Sequence, residues 1–156
     1  MSTALRRTAS VTGSAAIVGA SLLFDGSVAQ AAPYDGTDPQ ATGCSNTGRV
    51  VRQAPLANEF GGQQGTVYLY YSTACRTVWA KVVTGLPECI PGLPPALSYC
   101  AAAFVHRNSD GAQLRCDTPA GASSCYTRQL NDANVTSFAK AVLEYGTGYS
   151  GVTGSY

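Results

Sequence analysis

Two consecutive runs of alternating side chains, Gly65 to Cys75 and Arg76 to Val82, set the pattern from which the rest of the chain is read. In the first run Val67, Leu69 and Tyr71 fall on one face and Tyr68 and Tyr70 on the other, the period of two expected of a half-buried strand. In the second, Val78, Ala80 and Val82 alternate with Trp79, Lys81 and Val83. Ser72-Thr73-Ala74 provide a short polar link. The pair therefore reads as a hairpin, with Trp79 and Cys75 placed where a core forms.

The flanking patterns extend this hairpin into a sheet. Arg49 to Ala54 is a short strand, and Pro55, Asn58 and Gly61-Gly62 form the loop that leads into the hairpin, so three antiparallel strands make the nucleus. Upstream, Pro33 to Asn46 is rich in turn formers, including Tyr34-Asp35-Gly36 and Asp38-Pro39, and reads as an extended lead-in ending at Cys44. Downstream, Gly85 to Ala96 carries four of the eight prolines. Missing N–H donors and fixed φ angles at that density exclude a central strand or a helix interior and predict a surface loop between Cys89 and Cys100.

Tyr99 to Arg107 resumes a strand, with Cys100, Ala102, Phe104 and His106 opposite Ala101, Ala103, Val105 and Arg107. Asn108-Ser109-Asp110-Gly111 is a tight turn, Ala112 to Cys116 its return strand, and Cys125 to Leu130 a further strand. The segment 131–146 fits two periods. Val135, Phe138, Ala139, Val142 and Leu143 make a helical stripe, which Asp132 or Asn134 can cap and Gly146 can end. Phe138, Lys140 and Val142 also alternate as in a strand, but the local pattern favours a helix over 132–145. Tyr149 to Tyr156 reads as a final edge strand or a loop laid over the sheet. The fold expected is mainly β: one domain over 32–156, a small antiparallel sandwich or partly open barrel, disulfide-stapled, with at most one C-terminal helix.

Composition changes the picture chiefly at the N-terminus. Arg6 and Arg7, the apolar run from Ala15 to Phe24 and the small-residue site Ala29-Gln30-Ala31 predict a secretory signal peptide over residues 1–31. The run is too short for a spanning anchor, which needs about 20 apolar residues. Cleavage leaves eight basic and eight acidic side chains, a formally neutral domain. Neutrality removes the counterion-release drive for nucleic acid and the polybasic stretch that holds proteins on anionic membranes, so neither partner class is expected. All six cysteines (Cys44, Cys75, Cys89, Cys100, Cys116 and Cys125) lie beyond the cleavage site. An even count in an exported chain reads as three disulfides, with 15 connectivities open. No Cys-x-x-Cys pair occurs and His106 is the only histidine, so no metal and no cofactor are expected.

Three pieces together carry a family resemblance: Tyr34-Asp35-Gly36 leading to Gly43-Cys44; Gly65-Thr66-Val67 through Tyr71-Ser72 to Cys75 and Trp79; and the ending Thr153 to Tyr156. They resemble the YjfA-like secreted family of Gram-positive bacteria, domain of unknown function 2690. The resemblance implies a bridge between Cys44 and Cys75. It transfers no catalytic residues, and the domain's fusions to regulators and membrane segments imply an extracytoplasmic binding or sensing module. Sequential pairing, Cys44–Cys75, Cys89–Cys100 and Cys116–Cys125, also closes each loop across a segment that already reads as a turn or hairpin.

Catalytic chemistry has few candidates. His106 is the one side chain that titrates near neutral pH unperturbed, and its face, shared with Phe104 and Ala102, suits a structural role. Gly-x-Ser-x-Gly is absent, and Asp110, Asp117 and Asp132 sit in turn settings rather than as an evident carboxylate pair. Asp35 and Asp38 lack the ligand spacing of a calcium loop. Tyr68, Tyr70, Tyr99, Tyr126, Tyr145, Tyr149 and Tyr156 are more informative, since each joins apolar area to a polar tip. Tyr68, Tyr70 and Trp79 are the candidate binding residues. The reading is a monomeric, secreted, extracellular binding module without enzymatic activity, acting on a cell-wall polysaccharide or a protein partner. The alternatives are a protease inhibitor using the 85–96 loop and a small hydrolase centred on His106.

Overall fold

A computed structural model describes residues 33–85, 89, 90, 92, 100–143 and 148–156. The signal peptide expected at 1–31 and most of the 85–96 loop lie outside the described residues. A 3-10 turn, Cys44–Thr47, opens onto β1 (Gly48–Ala57), β2 (Gln63–Ser72) and β3 (Thr77–Thr84). Then follow β4 (Ala101–Arg107), β5 (Gln113–Asp117), β6 (Ser124–Tyr126), β7 (Leu130–Asn131), β8 (Ser137–Leu143) and β9 (Ser150–Val152). All pairings are antiparallel, in the order β5-β4-β8-β9-β1-β2-β3-β6, with β7 beside β6 along β3. Because β3 also packs across the interior against β4 and β8, the curled sheet is a nearly closed barrel.

The hairpin forms in the register its alternation demands, with Val67 opposite Val82 and Leu69 opposite Ala80. These four side chains are fully buried, together with Val78, Leu56 and Val105. Facing them, β4 and β8 supply Ala101, Ala103, Ala139 and Ala141. Small side chains on one wall let it approach the Val and Leu of the other, so that a short chain closes its core.

The helix expected over 132–145 is not formed. Asn134 adopts φ 63°, a left-handed turn rather than a cap, and Ser137–Leu143 is strand β8. Its even burial alternation puts Ser137, Ala139, Ala141 and Leu143 inside. The helical stripe was a second period hidden in the same residues; the strand pairs with β4 along its whole length and with β9 over Lys140–Val142, satisfying backbone groups on both edges, which a lone helix would not offer the sheet. The C-terminal segment is not an edge either. β9 lies between β8 and β1, and Gly151 passes so close to the Pro55 carbonyl that a side chain there has no room. Trp79 is buried as expected but on the outer face, away from the core, and Cys75 is half-exposed in the turn.

Three disulfides join Cys44–Cys75, Cys89–Cys100 and Cys116–Cys125, and no cysteine is free. The third has a particular place: Cys116 is in β5 and Cys125 in β6, the two ends of the strand order. No ladder joins those edges among the described residues, so the covalent bond closes the seam. Three bridges belong to an oxidising compartment. Among the described residues no helix is long and apolar enough to cross a membrane.

Two clamps hold the loops. Arg107 donates to Asp35 at 2.8 Å and to Asp110 at 2.7 Å, fastening the lead-in to the β4–β5 turn. The guanidinium holds the Asp110 carboxyl down at about 2. Asp132, only 5% exposed, accepts a 2.6 Å hydrogen bond from Ser137 Oγ. Burial pushes its carboxyl above the usual range, outweighing the Ser137 bond and the Arg107 charge.

Replacing both Cys116 and Cys125 by Ser should lower stability by about 3 kcal/mol on loop-closure entropy. Urea titration measures the loss, and hydrogen exchange should quicken in β5 and β6 while β2 and β3 stay protected. For Asp132 the raised folded value means that its contribution is complete below the ordinary carboxylate range and is lost as pH rises through the folded value. Asp132→Asn should therefore raise the thermal midpoint at pH 7 and change it little at pH 4, as checked by calorimetry at both values.

Candidate functional site

The outer face of β2, β3 and β6 collects the aromatic residues that alternation turns away from the core. Cross-strand register sets Tyr70 opposite Trp79 and Tyr68 opposite Lys81, and Lys81 in turn opposite Tyr126. The Tyr70 and Trp79 rings stack with centroids 5.5 Å apart and planes 12° from parallel; Tyr68 tilts against Tyr70 at 6.5 Å. Trp79 is 5% exposed and Tyr70 half-buried, so Tyr70 offers the accessible ring and Trp79 backs it.

The lead-in builds the opposite wall. Pro39, Gln40, Ser45 and Gly48 face Tyr70, Trp79, Lys81 and Tyr126 across a cleft of about 160 Å³. Gln40, Lys81 and Tyr126 also line an adjoining hollow of about 440 Å³ that reaches Asp117, Pro119, Ser124 and the Cys116–Cys125 bridge. The two hollows meet at these three shared lining residues, and the pair is called the groove. Tyr68 lies outside it, in a separate shallow depression with Gln64, Thr66 and Thr84. Of the three residues singled out in the sequence, Tyr70 and Trp79 thus meet in one cleft and Tyr68 stands beside it. Tyr126, one of the informative tyrosines, joins them, as do Gln40, Ser45 and Lys81, which the sequence does not single out; the register of β6 on β3, which no local pattern reveals, is what brings Tyr126 there.

The lead-in is held against the sheet by a residue that composition would not single out. Gln129 is fully buried; its Oε1 accepts from Thr77 Oγ1 at 2.7 Å and its Nε2 donates to Thr37 and Thr42 hydroxyls at 2.9 Å. Its backbone exchanges hydrogen bonds with Thr37 and Gly36. Asp38 then caps the next turn, accepting from the Gln40 and Ala41 amides at 2.7 and 3.1 Å and from the Tyr126 hydroxyl at 3.3 Å. The Ala41 amide bond is the main reason the Asp38 carboxyl sits low, while burial and then Asp38 push the Tyr126 hydroxyl up. That phenol stays protonated and oriented at neutral pH.

His106 lies elsewhere, on the outer face of β4, its ring parallel to Phe138 at 4.6 Å and tilted against Phe104 at 6.3 Å. Burial, then the Lys140 charge, lower its pKa. None of the candidate carboxylates hydrogen-bonds to it: Asp110 is held by Arg107, Asp117 by Arg115 and Asp132 by Ser137. Asp35, the other lead-in carboxylate, is bound to Arg107 and the Asn131 amide. The described residues therefore assemble no acid–base pair around His106.

Gly48 is the position on which the cleft floor depends most directly. A Cβ there would stand 2.5 Å from Cη2 of Trp79. Gly48→Ala should push the indole outward, shift its fluorescence to longer wavelength and cost about 1–3 kcal/mol by overpacking. Gly85→Ala, whose new methyl would meet nothing closer than 3.7 Å, should leave the emission unchanged.

Comparison with known proteins supplies a family. The family described as "Protein of unknown function (DUF2690)" matches residues 32–142. The "Uncharacterized protein YjfA" of Bacillus subtilis (strain 168) is 32% identical over 114 residues, covering 68% of each chain. No solved structure matches. The match runs from the lead-in that walls the cleft through the strands that floor it, and on this footing the chain belongs to the DUF2690 family of YjfA-like proteins.

Proposed function

We propose that this protein is an exported, non-enzymatic binding module that takes an envelope polysaccharide along the outer face of β2, β3 and β6. The observation that carries the reading is the stacked Tyr70–Trp79 pair flooring a groove edged by Gln40, Ser45, Lys81 and Tyr126. A sugar ring presents an apolar face and a rim of hydroxyls, and it is matched by an aromatic floor beside amide and hydroxyl side chains. Rigid walls favour binding, because a groove pinned by a disulfide and a buried Gln129 loses little entropy when filled. Export is supported by three disulfides. The hydrolase alternative loses support with the isolation of His106, and the inhibitor alternative rests on a loop most of which lies outside the described residues.

The test is co-sedimentation of the oxidised protein with purified Gram-positive cell walls. Wild type should pellet saturably, and Tyr70→Ala should bind about two- to tenfold more weakly, the loss expected when an aromatic contact of about 0.5–1.5 kcal/mol is removed. His106→Ala should bind as wild type does. Wild type remaining in the supernatant, or capture only by protein-containing fractions, would remove the polysaccharide reading.

A further inference from the structure

Lys81 occupies the junction of the groove's two parts. It lines both hollows, and its neighbours across the sheet on either side are tyrosines, Tyr68 on β2 and Tyr126 on β6. A lysine on the outer face of a strand ordinarily serves solubility, with its ammonium in bulk water. This one is half-buried in a concave site. Lys140, the only other lysine, lines neither hollow.

Among the described residues Lys81 also has no ion-pair partner, the ion pairs being Arg107 with Asp35 and Asp110, and Arg115 with Asp117. The two carboxylates near the groove have other partners. Asp38 is turned into its own backbone turn and the Tyr126 hydroxyl. Asp117, on the groove's far wall, accepts from Arg115 at 2.7 Å. Lys81 is the cation of this lining, beside Gln40, Ser45 and Ser124, and the Asp117 carboxylate lines the same hollow paired with Arg115. A neutral sugar would leave that half-buried cation unpaired, whereas an anion would pair with it in an environment less screened than open water.

We infer that the groove recognises an anionic glycan, seating a carboxylate or phosphate group on the Lys81 ammonium while the adjacent sugar lies toward Tyr70. This rests on the polysaccharide reading above and narrows it to acidic polymers. The two sources of the anion, a uronic acid carboxylate and a phosphodiester between polyol units, share the chemistry of one negative charge with several acceptor oxygens.

Trp79 makes the test direct, because it is the only tryptophan in the chain and floors the groove. The oxidised protein is titrated with hexagalacturonate, with its methyl ester as the uncharged counterpart, and with an oligomer of glycerol phosphate, while Trp79 emission is followed. At low ionic strength at least one anionic oligomer should bind about five- to tenfold more tightly than the ester, and added salt should shrink that margin. Lys81→Gln should bring the anionic oligomer to the affinity of the ester, and Lys81→Arg should retain the preference. Near-ultraviolet circular dichroism checks that both variants are folded. Saturation by galacturonate alone assigns a carboxylate ligand, and by glycerol phosphate alone a phosphodiester. Equal affinities for charged and uncharged oligomers, or a preference that survives Lys81→Gln, would overturn the inference while leaving polysaccharide binding intact. No change in emission with any oligomer would overturn the inference, while pelleting with cell walls decides polysaccharide binding separately.

Discussion

The buried amide of Gln129 is the interaction on which the described architecture depends most. A side chain with two donors and an acceptor cannot be buried without partners, and here Thr77 of the central hairpin and Thr37 and Thr42 of the lead-in supply them. The lead-in also buries Pro39 and Cys44, the latter bridged to Cys75, and polar bonds in a dry site add to that hold, where each bond is stronger and each unmet partner is costly. Because the lead-in is fixed in this way, Pro39, Gln40 and Ser45 face Tyr70 and Trp79 at a set distance. A groove exists only because that segment has one place to lie.

The barrel solves a second problem with little material. Strands at the ends of an open sheet leave unpaired backbone groups that invite association with other chains. Here the sheet curls until β3 meets β4 and β8, which is possible because Ala101, Ala103, Ala139 and Ala141 keep one wall thin. Curling brings the two edges together, and one disulfide joins them. The clamp of Arg107 on Asp35 and Asp110 plays the equivalent role for the loops at the Asn108–Gly111 turn.

What was legible in the sequence was whatever is encoded locally. The β2–β3 hairpin followed from strict alternation, the Asn108–Gly111 turn from its residues, and the three bridges from pairing each cysteine across its own turn or hairpin. Residues 137–143 carried two periods at once, and only the presence of β4 and β9 on either side decides between them. Likewise Tyr149 to Tyr156 has no mark of a central position, because β9 owes it to Gly151 fitting beneath the Pro55 carbonyl. At the site, Tyr70 and Trp79 were visible as outward aromatics of one hairpin. Tyr126 stood only as one of seven informative tyrosines and Lys81 as an ordinary outward residue, since their place at the site comes from the β3–β6 register and from a lead-in distant in sequence.

The bond between Cys116 and Cys125 has a further consequence. Both sulfur-bearing residues line the groove as well as joining the sheet's edges. The shape of the groove and the completion of the fold are therefore recorded in the same two atoms. A copy of the chain in which these two cysteines are not yet joined would lack this covalent closure beside Lys81, so closing the sheet and shaping this wall of the groove become a single event.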